Sequence, residues 1–313
     1  MKLYKKSEIF SEKYNKNSEL EISPEVQKKI MDGNAAFIID LIASLKIPSF
    51  TISSLGIQLV NYFFIGKSYL NYDRFIYCAA ALMLAFKIKE QDHYRLKPII
   101  MGYYQQAPRR DQTQIMNDTI YQQIKNKICI AESKLLKAIQ FEFDIQLPFD
   151  FLQTIIEFCN EKDQDKERIY YATKVISYDS FRSYAPLIFK PQIIAVSAFM
   201  ISCSQFNIEP HLRIPERFKQ KYNPETMREE EAYERWLQEI SIELKTQITA
   251  EDIKDCLYVL NELLYLHYNP KEDDVKKFEQ YELSLEQSKV KNDQNEKLNQ
   301  EKQADQKMDI EQQ

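Results

Sequence analysis

Glycine is nearly absent from this chain, four residues in 313. The left-handed turns that sheet proteins place at hairpins have little to be built from, which argues against strand-rich architectures. Long apolar runs are missing too. Nothing reaches the about 18 residues of a membrane-spanning helix, and the start, Met-Lys-Leu-Tyr-Lys-Lys-Ser, lacks the apolar core of a signal peptide. Positive charge is not in excess: the formal net charge is -5, so no direct nucleic-acid binding is expected. Neither Gly-x-x-x-x-Gly-Lys nor Gly-x-Gly-x-x-Gly occurs, so no phosphate cradle can be built, and neither His-Glu-x-x-His nor Cys-x-x-Cys offers a zinc site. His93, His211 and His267 stand far apart in sequence. No cofactor, metal or catalytic constellation is expected, and the chain reads as a binding module rather than an enzyme. Five cysteines, Cys78, Cys129, Cys159, Cys203 and Cys256, are odd in number and sit singly in apolar helical runs. They read as reduced, buried thiols of cytosol or nucleus.

What is present is helix. From Phe75 to Phe86 every residue is apolar or aromatic, with alanines in the middle, and Lys87-Ile88-Lys89-Glu90 follows. At helical pitch such a stretch has no solvent face, so it predicts a helix buried at the centre of an all-helical bundle. Around it, Ser23-Pro24-Glu25 is a helix start with serine as N-cap and proline first in the helix. That helix carries Val26, Ile30, Phe37, Ile38, Leu41 and Ile42 on one face and ends near Pro48. A second helix, capped by Ser49 or Thr51, ends around Gly66. A short fourth helix spans about Leu96 to Tyr104, and Ala107 to Gln112, with Arg109-Arg110, is a loop. A long fifth helix from about Ile115 to Phe141 has Ile124, Ile128, Ala131, Leu135 and Ile139 as its apolar stripe.

The second half repeats the first. Tyr62 to Ala79 and Tyr178 to Ala195 share a spacing in which an aromatic helix ends and an apolar helix begins. Pro191 to Cys203 is the second version of the buried helix, and helices at about Glu229 to Leu244 and Ala250 to Tyr268 complete a second set. Duplication of one five-helix unit accounts for the pattern. The expected divisions are a polar arm over 1–22, bundles over 23–145 and 146–269, and a charged tail over 270–313 too poor in apolar residues to offset its ordering entropy.

Two charges interrupt the apolar pattern. Lys87 sits just past a fully buried helical surface, so its ammonium must leave at the rim, and Glu132 interrupts the fifth helix. On pattern alone these are a rim lysine and an exposed glutamate.

Three segments of the first half resemble the cyclin box, in the form found in transcription-associated cyclins of the K, T and L types and more distantly in cyclin C. They are Asn34 to Asp40, Lys67 to Leu70 with Arg74 to Glu90, and Glu132 to Pro148, where Glu132-Ser-Lys-Leu-Leu136 and Phe141-Glu-Phe143 follow the family pattern. In the second half Phe189-Lys-Pro191-Gln-Ile-Ile-Ala195 and Tyr233-Glu-Arg-Trp236 are similar to segments of the same cyclins. The match runs in register over about residues 24 to 268. It implies two tandem five-helix cyclin-box bundles and a regulatory, non-catalytic subunit of a cyclin-dependent kinase in RNA polymerase II transcription. It also implies a nuclear location, a heterodimer with the kinase, and contacts with further transcription-complex proteins. A kinase-independent scaffold of a nuclear complex is the alternative. Carried over from the family, the kinase-binding residues are Lys87 and Glu132, with Leu84, Leu136, Phe141 and Glu90 beside them. The chain departs from the family pattern at Lys89, where an acid is usual, and at Asn61-Tyr62, where Arg-Phe is usual.

Overall fold

The computed structural model describes residues 1–5, 7–19, 22–46, 49–91, 96–107, 116–159, 163–212, 214 and 224–268. For 18–19, 163–164, 225 and 264–268 only the backbone is described. The expectations for Pro48, His93, the Arg109-Arg110 loop, the helix start near Ile115, the His267 side chain and the tail over 270–313 lie outside the described residues.

Every regular element among the described residues is helical. A short α1 (Lys16–Glu19) precedes α2 (Pro24–Ser44), α3 (Phe50–Ile65), α4 (Arg74–Ile88), α5 (Leu96–Gln106) and α6 (Asp118–Ala138). A 3-10 turn at Pro148–Phe151 leads into α7 (Leu152–Ile156), α8 (Asp163–Asp179), α9 (Ala185–Ile188), α10 (Pro191–Gln205), α11 (Glu229–Glu243) and α12 (Ala250–Tyr268). Short polar side chains set the starts. Ser23 Oγ accepts from the Val26 N–H, Ser49 Oγ from the Ile52 N–H, and Asn117 Oδ1 from the Ile120 N–H.

Helix α4 is the centre of the first bundle, and all its residues from Ile76 to Phe86 are buried. It packs against α2, α3, α5 and α6. Its alanines let a neighbour come close: a Cβ added at Gly56 of α3 would lie 3.4 Å from the Leu82 Cα. The stripe of α6 is as expected, with Ile124, Ile128, Ala131, Leu135 and Ile139 all buried. A second core forms around Trp236, Phe199 and Leu260. Ion pairs join the two bundles, Arg182 Nε to Asp32 Oδ1 at 2.7 Å and Lys28 Nζ to Glu262 Oε1 at 2.6 Å.

Scarce glycine shows at the helix ends. Lys46, Glu90, Gln140, Phe141, Asn207 and Lys245 take positive φ, whereas no glycine does. Behind α4 the Gln91 N–H donates to the Phe86 carbonyl and the Glu90 N–H to that of Lys87. Behind α6 the Phe141 N–H donates to Leu136 and the Gln140 N–H to Lys137. Both are Schellman caps built without glycine at the left-handed position. They also end α6 at Ala138, so Phe141 lies beyond the helix expected to contain it.

The first 22 residues look polar in sequence, but several of those that are described are anchored in the fold. Ile9, Asn15 and Asn17 are buried, and Ile9 sits in the second core. Asn17 Nδ2 donates to the Phe64 carbonyl at 2.6 Å and the Lys67 carbonyl at 3.1 Å, and its Oδ1 accepts from the Tyr69 N–H at 2.9 Å. The Tyr4 N–H donates to the Leu187 carbonyl in the second bundle. Side-chain amides satisfying backbone groups leave no hydrophobic period to read.

One cysteine corrects its expectation. Cys78, Cys159, Cys203 and Cys256 are buried thiols in no disulfide, but Cys129 is exposed. It follows Ile128 of the buried stripe, and one residue further along a helix turns about 100° away.

Candidate functional site

Lys87 and Glu132 are 45 residues apart in sequence and meet in space. Lys87 stands in the last turn of α4 and Glu132 in the second half of α6, two helices packed directly on each other. Lys87 Nζ donates to Glu132 Oε1 at 2.6 Å. The lysine side chain is 59% exposed and the glutamate side chain 12%. Glu132 is thus more sheltered than the exposed glutamate its position on a charged helix suggested. An ion pair this open to water contributes only about 0–1 kcal/mol to folding.

The other expected residues divide. Leu136, one turn after Glu132, is half-buried and packs on the first core, and Phe141 is 58% exposed. Glu90 is exposed, but it occupies the left-handed cap position just past α4. Leu84 departs from expectation: at 2% exposure it belongs to the core and offers a partner no surface. With α4 surrounded on all sides, a residue one turn back from its end points inward, so only the last turn emerges.

Phe143 was not singled out in the sequence, yet it is 50% exposed two residues after Phe141. The signal was a second phenylalanine within the charged stretch Phe141-Glu-Phe143-Asp, where no apolar period calls for one. Phe141 also holds φ at 59°, a region that costs a residue with a Cβ about 1–2 kcal/mol. Neither burial nor local conformation accounts for a large aromatic ring there.

Asn61 is not a surface change. It is 1% exposed, and its Oδ1 accepts from Asn34 Nδ2 at 3.1 Å, while Asn34 Oδ1 accepts from Arg74 at 3.3 Å. This network ties α2, α3 and α4 together at the start of α4, the opposite end from Lys87. On the second bundle, Glu209, His211 and Glu229 bring three potential ligand atoms within 4.8 Å of one another, although the histidine is isolated in sequence. Glu229 is the first residue of α11, where the helix dipole favours the carboxylate itself and works against a bound cation.

No family profile matches the chain. Among curated proteins it is 25% identical over 235 residues to Cyclin pch1 of Schizosaccharomyces pombe, covering 75% of this chain and 60% of that protein. It is 23% identical over 204 residues to Cyclin-T1-2 of Arabidopsis thaliana, covering 60% and 44%. To Cyclin-K of Homo sapiens it is 24% identical over 193 residues, covering 59% and 31%. The chain spans about half the length of the curated relatives it matches. Among solved structures it aligns with a chain of the CAK complex from Chaetomium thermophilum bound to ATP-gamma-S, with TM-score 0.59, 15% identity and coverage of 88% and 84%. It also aligns with a chain of the yeast RNA Pol II CTD kinase CTDK-1 complex, with TM-score 0.55, 14% identity and coverage of 86% and 83%. At those identities the structures speak for the fold alone. Sequence similarity and fold agree with the residues that first carried the resemblance: this chain is similar to the transcription-associated cyclins, and its described residues take an all-α fold.

Proposed function

We propose that this chain is the activating, non-catalytic subunit of a cyclin-dependent serine/threonine protein kinase, acting in the nucleus on the C-terminal repeats of RNA polymerase II. The observation that carries the reading is the meeting of Lys87 and Glu132 on one face, with Leu136 one turn further along α6 and the exposed Phe141 just past its end. An ammonium and a carboxylate side by side fit the two ends of backbone polarity on a docked helix. Lysine donates to carbonyls, glutamate accepts from N–H groups, and the apolar neighbours exclude water between them.

Such a module leaves the chemistry to its partner. A protein kinase positions phosphate only when the lysine of its third strand is paired with a glutamate on a mobile helix. Holding that helix inward is a population shift. Moving a kinase from mostly inactive to mostly active takes about 5.5 kcal/mol of differential binding. An interface of about 1,600 Å² with desolvated anchors is large enough to supply it.

The test is affinity purification of tagged wild-type, Lys87→Glu and Glu132→Lys chains from their native cells. Copurifying proteins are identified by mass spectrometry, and activity is assayed on a heptad-repeat peptide. A stoichiometric kinase with the wild type, lost together with activity in both variants, is the expected result. A kinase retained equally by Glu132→Lys would overturn the site. The absence of any kinase from the wild-type preparation would favour a kinase-independent scaffold.

A further inference from the structure

A cavity of about 320 Å³ lies between the two bundles, and its walls are of two kinds. Phe181, Leu187 and Ile194 supply apolar surface from the second half, while Gln58, Glu142 and Asp144 supply acceptors from the first. Gln58 is 9% exposed, and its Nε2 donates to the Pro186 carbonyl across the junction at 3.4 Å. That contact fixes the orientation of the amide and leaves Oε1 buried without a hydrogen-bond partner. A buried acceptor left unpaired is costly, which makes it a place where a donor would be gained.

The electrostatics point the same way. Glu142 pairs with the Met1 ammonium, so one carboxylate at the cavity already holds a cation. The Asp144 carboxylate has no hydrogen bond or ion pair among the described residues. Tyr62 also lines the cavity, and burial raises its hydroxyl above the ordinary value, with Glu142 adding to the effect. Its hydroxyl therefore stays neutral at physiological pH. Lys2, whose side chain is exposed, is the cationic side chain among the lining residues.

We propose that this cavity is a recognition pocket for a basic side chain, arginine foremost, presented by a third protein that docks across the two bundles. Arginine fits because its planar fork carries five donors, more than the Asp144 carboxylate alone can use, with Gln58 Oε1 a further acceptor in the cavity wall. Its three methylenes would lie against Phe181, Leu187 and Ile194. An acidic side chain would meet the unpaired Asp144 carboxylate, and a purely aliphatic one would leave the buried amide oxygen unpaired. The proposal does not depend on kinase binding, since none of these residues is Lys87 or Glu132.

The experiment is a titration of the full chain with the peptide acetyl-Ala-Arg-Ala-amide, followed by methyl NMR and calorimetry. The citrulline peptide, an uncharged near-isostere, is run in parallel. Saturable shifts confined to the methyls of Ile145, Leu187 and Ile194, with citrulline binding about fivefold weaker, are the expected result. Gln58→Leu should abolish the shifts. Because that residue is buried, the exposed Asp144→Asn serves as a second variant whose folding is not in question, and it should weaken the arginine peptide by a similar factor. Equal binding of arginine and citrulline peptides, shifts spread over the acidic surface, no shifts at all, or indifference to Asp144→Asn would each overturn the proposal.

Discussion

Lys87 and Glu132 hold each other at 2.6 Å but are unequally tethered, because the glutamate side chain keeps 12% of its exposure and the lysine side chain 59%. The carboxylate is the fixed half of the pair and the ammonium the arm that can swing. In the free chain each satisfies the other, so neither waits as a bare charge. A partner helix then has only to exchange one hydrogen bond for another, which keeps the cost of docking low.

That asymmetry separates folding from binding. Lys87→Glu or Glu132→Lys should shift the thermal midpoint little, since the exposed pair contributes about 0–1 kcal/mol. Partner association should weaken by about 2–5 kcal/mol, the usual cost of leaving a docked charge unpaired. The double exchange Lys87→Glu with Glu132→Lys restores the internal pair but not the match to a partner's fixed backbone. It should therefore melt like the wild type and still fail to copurify a kinase.

Asn17 tests the grip of the N-terminal segment on the first bundle. Its side chain satisfies the Phe64 carbonyl and the Tyr69 N–H in a buried setting and the Lys67 carbonyl at its edge. Asn17→Ala orphans these groups, and a loss of about 2–3 kcal/mol in a urea unfolding curve is expected. A loss under half that would mean water reaches them freely.

Thiol reactivity distinguishes Cys129 from the rest. With Ellman's reagent the native chain should release one equivalent quickly, from the exposed Cys129, and the denatured chain all five. Cys129→Ser should abolish the fast phase without changing the far-ultraviolet spectrum.

Alkali should unfold the protein through the buried thiols. Burial pushes Cys78 and Cys256 from 9.0 up to about 12. Above pH 9 the unfolded chain releases these protons while the fold keeps them, so the stabilisation is whole below pH 9 and is lost as pH rises towards 12. Tyr184, raised to about 12 by burial, acts in the same direction. Thermal midpoints measured from pH 7 to 11 should be flat at first and then fall. Cys78→Ala should reduce the slope of the fall, whatever its effect at pH 7.

The sequence shows most clearly what repeats at helical pitch. The buried α4, the stripe of α6 and the Ser23-Pro24 start could all be read, because an apolar period and a cap are local signals. Lys87 and Glu132 stood out only as interruptions, and their 45-residue separation hid their contact until α4 and α6 were seen packed together. Leu84 was misjudged for a related reason: its place on the helix was right, but how far the bundle closes over that turn is a property of three dimensions. Asn15 and Asn17 were illegible because a buried asparagine that answers backbone groups has the same letters around it as a solvated loop. Gln58 and Asp144 share one cavity only because two halves of the chain fold against each other.

The helix ends without glycine leave room for adaptation to heat. Glu90 and Gln140 hold left-handed backbone at positive φ, in turns that a glycine would enter at no steric cost. Exchanging Gln140 for glycine changes no core contact and should raise the melting temperature, with a gain on the order of 1 kcal/mol. A lineage moving to warmer water could therefore gain rigidity at Gln140 alone, leaving Lys87, Glu90 and Glu132 as they were.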